Sequence, residues 1–109
     1  IDFIDLTERD SIINRDDDLN DILSLCYHHN SNYILLDDKN LSDAFFNLRN
    51  GLAGAALQKS ANYQVKVALV LPPEANPSQR FKELIYEMNQ SNHFRFFKHR
   101  DNAELWLTT

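Results

Sequence analysis

The residues best equipped for chemistry crowd into one stretch, FFNLRNGLAGAALQKSANY at positions 45–63, with Ser42 just before it. Arg49 stands alone among apolar neighbours, and Gly51 and Gly54 are the only glycines of the chain. If 45–58 formed one helix at about 100° per residue, Phe45, Phe46, Leu48, Leu52, Ala53, Ala56 and Leu57 would share one arc. Arg49 would fall near its middle, where an unpaired charge costs several kcal/mol, of the order of 3–5. Either the helix breaks near Asn50-Gly51, a strong turn dipeptide, or Arg49 is buried against a carboxylate or carbonyls. The break is the preferred reading. If Arg49 stays inside, Glu87 is a candidate partner. Glycine costs a helix about 1 kcal/mol relative to alanine. Tight packing of helix on sheet, or close approach of a partner or ligand, would explain Gly51 and Gly54.

Other reactive side chains admit ordinary readings. Ser42 fits a helix N-cap; phosphorylated, it would set a dianion at a helix start and could change partner affinity. Cys26 lies on an apolar stripe and reads as core. His28 and His29 are adjacent and ill placed to hold one ion together, and His93 and His99 flank a strand, so no metal and no cofactor is expected. Glu83 and Glu87 form an i, i+4 acidic row of the kind that usually faces solvent. No base stands beside a serine or cysteine at a readable spacing, and neither a Walker pattern nor a dinucleotide fingerprint occurs. Lys59, Asn62 and Tyr63 sit at a helix-to-strand turn, where capping competes with ligand contact.

The elements that must position these residues follow from periodicity. Residues 1–6 read as an edge strand, with 11–13 returning beside it as an antiparallel hairpin. Leu19, Ile22, Leu23 and Cys26 are spaced i, i+3, i+4, i+7, which predicts a helix, with Asp16–Asp18 in its first turn and His28-His29 at its end. Tyr33–Leu36 is a buried strand, and 42–60 a helix or broken helix. Gln64–Leu71 ends as a continuous apolar run, as a central parallel strand does, until Pro72-Pro73 stops it. Asn76-Pro77 suggests the cap and first residue of a helix carrying Phe81, Leu84, Ile85 and Met88. Phe94–Phe97 is a strand. Asp101 and Glu104 resemble a capping box for a last helix burying Ala103, Trp106 and Leu107. The order ββαβαβαβα implies one α/β domain over 1–109, a mostly parallel sheet covered by helices.

Composition sets the outer bounds. The chain has 109 residues, 43% hydrophobic and 25% charged, enough for one core without disulfides or metals. One cysteine excludes an internal disulfide. The net charge of −5 argues against sequence-independent nucleic-acid binding, and no apolar run is long enough to span a membrane. A cytoplasmic protein is expected, with residues preceding Ile1, since the sequence opens without methionine.

The block Leu41–Gly54, followed by Leu57-Gln58-Lys59, Asn62-Tyr63, strand 65–70 and Glu87-x-Asn89, resembles the bacterial domain-of-unknown-function family 4180. The resemblance covers roughly residues 19–107. The family pattern runs Phe-Phe-x-Leu-x-(Thr)-Gly-x-Ala-Gly, then a Gln-Lys and an Asn-Tyr pair. Here Asn50 replaces the threonine, Ala55 a glutamate, and Pro72 a glycine; a family surface acting through those positions would be altered in this member. The strand order also resembles the STAS group of anti-sigma-factor antagonists, in which a serine at the second helix is phosphorylated. Ser42 follows its strand as that serine would, although Asp43-Ala44-Phe45 replaces the small residues after it. A fold does not fix function. The resemblance implies a STAS-like α/β domain with no established activity.

Two functions are therefore expected to compete. One is a non-enzymatic regulatory or interaction module that binds an unknown protein partner or itself through 42–58. The other is a small-molecule or enzymatic domain with a polar pocket gathering Arg49, Gln58, Lys59, Asn62 and Tyr63. The full candidate surface is Ser42, Arg49, Asn50, Gly51, Gly54, Gln58, Lys59, Asn62, Tyr63, Glu87 and Asn89.

Overall fold

A computed structural model describes residues 3–9 and 13–109. The chain runs through β1 (Ile4–Asp5), α1 (Asp16–His29), β2 (Tyr33–Asp37), α2 (Asp43–Phe46) and α3 (Leu52–Asn62). It continues through β3 (Lys66–Val70), α4 (Gln79–Met88), β4 (Phe94–Phe97) and α5 (Arg100–Thr108). The four strands pair in the order β1-β2-β3-β4, every pair parallel.

The expected antiparallel hairpin is thus corrected. β1 lies parallel to β2, with Ile4 opposite Ile34. The expected return strand at 11–13 falls partly outside the described residues; Ile13 makes an isolated parallel bridge with Leu41. The chain leaving β1 feeds α1 and so builds a β-α-β unit, which needs parallel strands.

Right-handed crossovers between strands taken in sequence all fall on the same face of a sheet. The packing agrees. Ile34 and Leu36, Val67 and Leu69, and Phe94 and Phe96 point to one side, where they meet Leu19, Ile22 and Cys26 of α1, Ala53 and Ala56 of α3, and Phe81 and Met88 of α4. The i, i+3, i+4, i+7 stripes read from the sequence supply these helix contacts. Burial pushes the Cys26 thiol up, away from the reactive thiolate. The opposite face holds a smaller cluster, Leu35 and Ala68 against Ala103 and Leu107 of α5. Trp106 lies there beneath two cations, 4.9 Å from Lys66 Nζ and 5.2 Å from Arg95 Cζ.

Two helix starts differ from expectation. Ser78, not Asn76, caps α4, its Oγ accepting from the Phe81 amide at 3.2 Å. Asn76 instead closes a 3-10 turn, Pro73–Ala75, at φ 41°. In α5, Glu104 turns to Arg100 at 3.0 Å instead of completing a capping box with Asp101. Arg100 also bonds Asp5 at 2.6 Å, pinning α5 to the edge strand. Among the described residues, no helix is long and apolar enough to cross a membrane.

Candidate functional site

The segment after β2 is built to be rigid. Asp37–Asn40 folds into a 3-10 turn whose last residue, Asn40, is wholly buried. Its amide nitrogen donates to the carbonyls of Leu6 and Arg9, and its oxygen accepts from the Asp37 amide at 2.8 Å. A buried amide with donors and acceptor all used is a structural plug. Burial raises the Asp37 carboxyl above its usual value, against the lowering effect of the Lys39 amide and charge.

Ser42 precedes α2 in the N-cap position, but its hydroxyl donates to the Ile13 carbonyl at 3.1 Å and leaves the helix amides uncapped. It ties the β2 loop to the N-terminal segment. Phe45 is then driven fully inside, with ring centroids 6.1 Å from Phe81 and 6.3 Å from Phe94. Phe46, half-buried, lies 5.0 Å from Phe81. The paired phenylalanines anchor α2 to α4 and β4.

Beyond that anchor the helix breaks, as preferred from the sequence. Leu48–Asn50 forms a 3-10 turn, and Gly51 takes φ 70°, a left-handed conformation that favours glycine. Asn47 Oδ1 accepts from the Arg49 amide at 3.1 Å. Asn50 works in both directions: its oxygen accepts from the Leu52 amide at 2.9 Å, opening α3, and its nitrogen donates to Ala44 at 2.7 Å, closing α2. Two asparagines and one glycine therefore fix this exposed turn. The asparagine side chain supplies a donor and an acceptor at once.

The break resolves Arg49. It is exposed, and among the described residues its guanidinium has no hydrogen-bond or ion-pair partner; no ion pair joins it to Glu87. Leu48 beside it is 39% exposed. Gly54, Gln58 and Asn62 are all exposed and spaced i, i+4, so they form one row along α3, about 12 Å long. Tyr63, also largely exposed, closes the far end. Among the described residues, a Cβ on Gly54 or on Gly51 would meet nothing within 4 Å. Packing of helix on sheet therefore does not account for either glycine: Gly51 serves its backbone angle, and Gly54 faces open space.

The candidate residues do not form a pocket. Arg49 and Tyr63 stand at opposite ends of α3. Lys59 turns aside to α1, donating to Asn20 Oδ1 at 2.8 Å. Glu87 is exposed on α4. Asn89 has a different task. Its oxygen accepts from the Phe96 amide at 2.7 Å and its nitrogen donates to the Phe96 carbonyl at 3.4 Å. Ser91 Oγ contacts the Phe94 amide and carbonyl in the same way, at 3.2 and 3.3 Å. β4 is an edge strand, and these two side chains cover its outward backbone.

Sequence reasoning missed a concavity elsewhere in the molecule. It lies at the carboxyl ends of β3 and β4, lined by Leu71, Pro72, Pro73, Asn76 and Pro77 of the following loop, by α4 and by Lys98, with a volume of about 450 Å³. The available signal was the Pro72-Pro73 stop directly after a central parallel strand, since ligands of open α/β sheets sit outside the carboxyl ends of their strands.

Over residues 1–107 the sequence matches the family described as domain of unknown function DUF4180, and the chain belongs to that family. No curated protein and no solved structure matches it.

Proposed function

We propose that this domain is a non-enzymatic regulatory module that docks a protein partner, or a second copy of itself, along the outer face of α3 and the turn before it. The partner backbone lies over Gly54, with Gln58 and Asn62 offering amide hydrogen bonds and Arg49 meeting a carboxylate at one end. Leu48 and Tyr63 supply apolar contact at the two ends, and Ser42 and Gly51 set the segment's course. Gly54 carries this reading. A glycine on the exposed side of a helix weakens it by about 1 kcal/mol relative to alanine, and among the described residues nothing occupies the space a side chain would fill. The fixed turn adds support, because a surface ordered in advance loses less entropy on binding.

The same reading places the domain among STAS-like regulators in the bacterial cytoplasm. The sequential parallel strands β2–β4 with α1, α3 and α4 on one face support that likeness; the parallel pairing of β1 with β2 does not match the expected hairpin.

The test is affinity purification from the native host beside sedimentation of the pure protein, for the wild type and Arg49→Glu. The expected result is a discrete partner, or a concentration-dependent dimer, whose binding falls about tenfold or more in the variant, an effect of the order of 1.4 kcal/mol. Binding unchanged by Arg49→Glu would overturn the assignment of this surface.

A further inference from the structure

We infer that the groove between the 71–77 loop, α4 and the end of β4 is a binding site for a small organic anion with an apolar body, a carboxylate or phosphate on an aromatic or aliphatic frame. Its volume of about 450 Å³ lies within the range of small-molecule sites. Buried Leu71 and Phe96 and half-buried Ile85 give it apolar lining. Among the described residues, the ionisable groups that line it are Lys82 and Lys98, both exposed. The chain as a whole carries 16 acidic against 11 basic residues, so a cavity lined by cations alone runs against its average. That charge complements an anionic head, while the lining suits an apolar body.

The groove is also formed in advance. Pro72, Pro73 and Pro77 fix three φ angles in one short loop, and the 3-10 turn Pro73–Ala75 occupies its centre. The sheet order explains why a crevice opens here without a reversal of strand order: β4 is the last strand, so no further crossover fills the space beside it. Asn89 lines the groove too, but both ends of its amide are engaged with Phe96, so the side chains that face a ligand's polar head are Lys82 and Lys98, with exposed Asn76 as a neutral neighbour. This site shares no residue with the α3 surface and stands independently of it.

Amide chemical-shift titration of the whole domain tests the site with three probes: 3-phenylpropanoate, its neutral alcohol 3-phenylpropanol, and inorganic phosphate. The acid is expected to give saturable shifts at Lys82, Ile85 and residues 96–98, with weaker binding of the alcohol and of phosphate. In the double variant Lys82→Glu, Lys98→Glu the affinity for the acid should fall about tenfold or more. Both positions are exposed, so unchanged shifts elsewhere confirm that the variant is folded. Equal binding of acid and alcohol, binding untouched by charge reversal, phosphate binding as tight as the acid, or shifts outside the groove would each overturn the assignment.

Discussion

The connection from β2 to β3 and the connection from β3 to β4 leave the same end of the sheet and pack on the same face, yet they treat that end in opposite ways. After β2 the space is filled: Asn40 is buried and bonds three backbone groups, and Ile13 bridges Leu41 over it. With the crevice closed, what this connection offers is the convex outside of α3. After β3 a proline-rich loop stands away from the sheet and leaves a concave groove. A closed connection that displays a helix suits a macromolecule, and an open one suits a small ligand. One domain thus presents a convex and a concave surface on neighbouring crossovers.

Removing the plug should have the largest effect. Asn40→Leu strands the Asp37 amide and takes a partner from two carbonyls, so unfolding free energy should drop by roughly 2–4 kcal/mol, read by urea denaturation. A loss below about 0.5 kcal/mol, the size of an ordinary surface change, would mean that this end is not held shut by Asn40. The two glycines should then part company. Gly51→Ala forces a side chain to φ 70° and should cost about 1–2 kcal/mol. Gly54→Ala meets open space in a regular helix and should raise stability by about 0.5–1 kcal/mol. If both were neutral, the contrast between a structural and a displayed glycine would disappear.

The smallest effect lies on the far face, away from both connections. Partial burial alone would raise the Asp5 carboxyl, but hydrogen bonds from the Thr7 side chain and amide and from Arg100 outweigh it and hold Asp5 below its usual value. Its contribution is therefore complete at neutral pH and is lost as the pH falls below the ordinary carboxylate range. Arg100→Ala should lower stability at pH 7 by less than about 1 kcal/mol, the pair being half exposed, and the difference from wild type should shrink in acid. Thermal melts at pH 7 and pH 3 measure it; a gap that widened at low pH would contradict the sign.

Much of this was legible in the sequence. The apolar stripes of α1 and α4 are local patterns, and so is the break at Asn50-Gly51, because each depends on residues within a few turns of one another. The direction of β1 was not legible: a strand of two residues carries no pattern that separates parallel from antiparallel pairing. Asn40 in an acidic loop reads as a turn residue, and only its bond to Leu6, 34 positions away, makes it a core residue. Asn76-Pro77 and Ser78 both match cap chemistry, and the positive φ of Asn76 decided between them. Asn89 was singled out by resemblance, but its bond to Phe96 matters because the sheet order leaves β4 at an edge. The candidate residues of α3 were found without their shape, since spacing alone did not tell a convex row from a pocket.

The outer face of α3 is best tested by contact. A photoreactive residue placed at Gln58, and separately at exposed Glu83 on α4 as a control, can be irradiated in the native host and the adducts resolved by mass. A discrete protein adduct from position 58, abolished by Arg49→Glu and missing from position 83, is the predicted result. Adducts of equal yield from both positions, or none from position 58, would contradict the claim that this helix face is where the domain is bound.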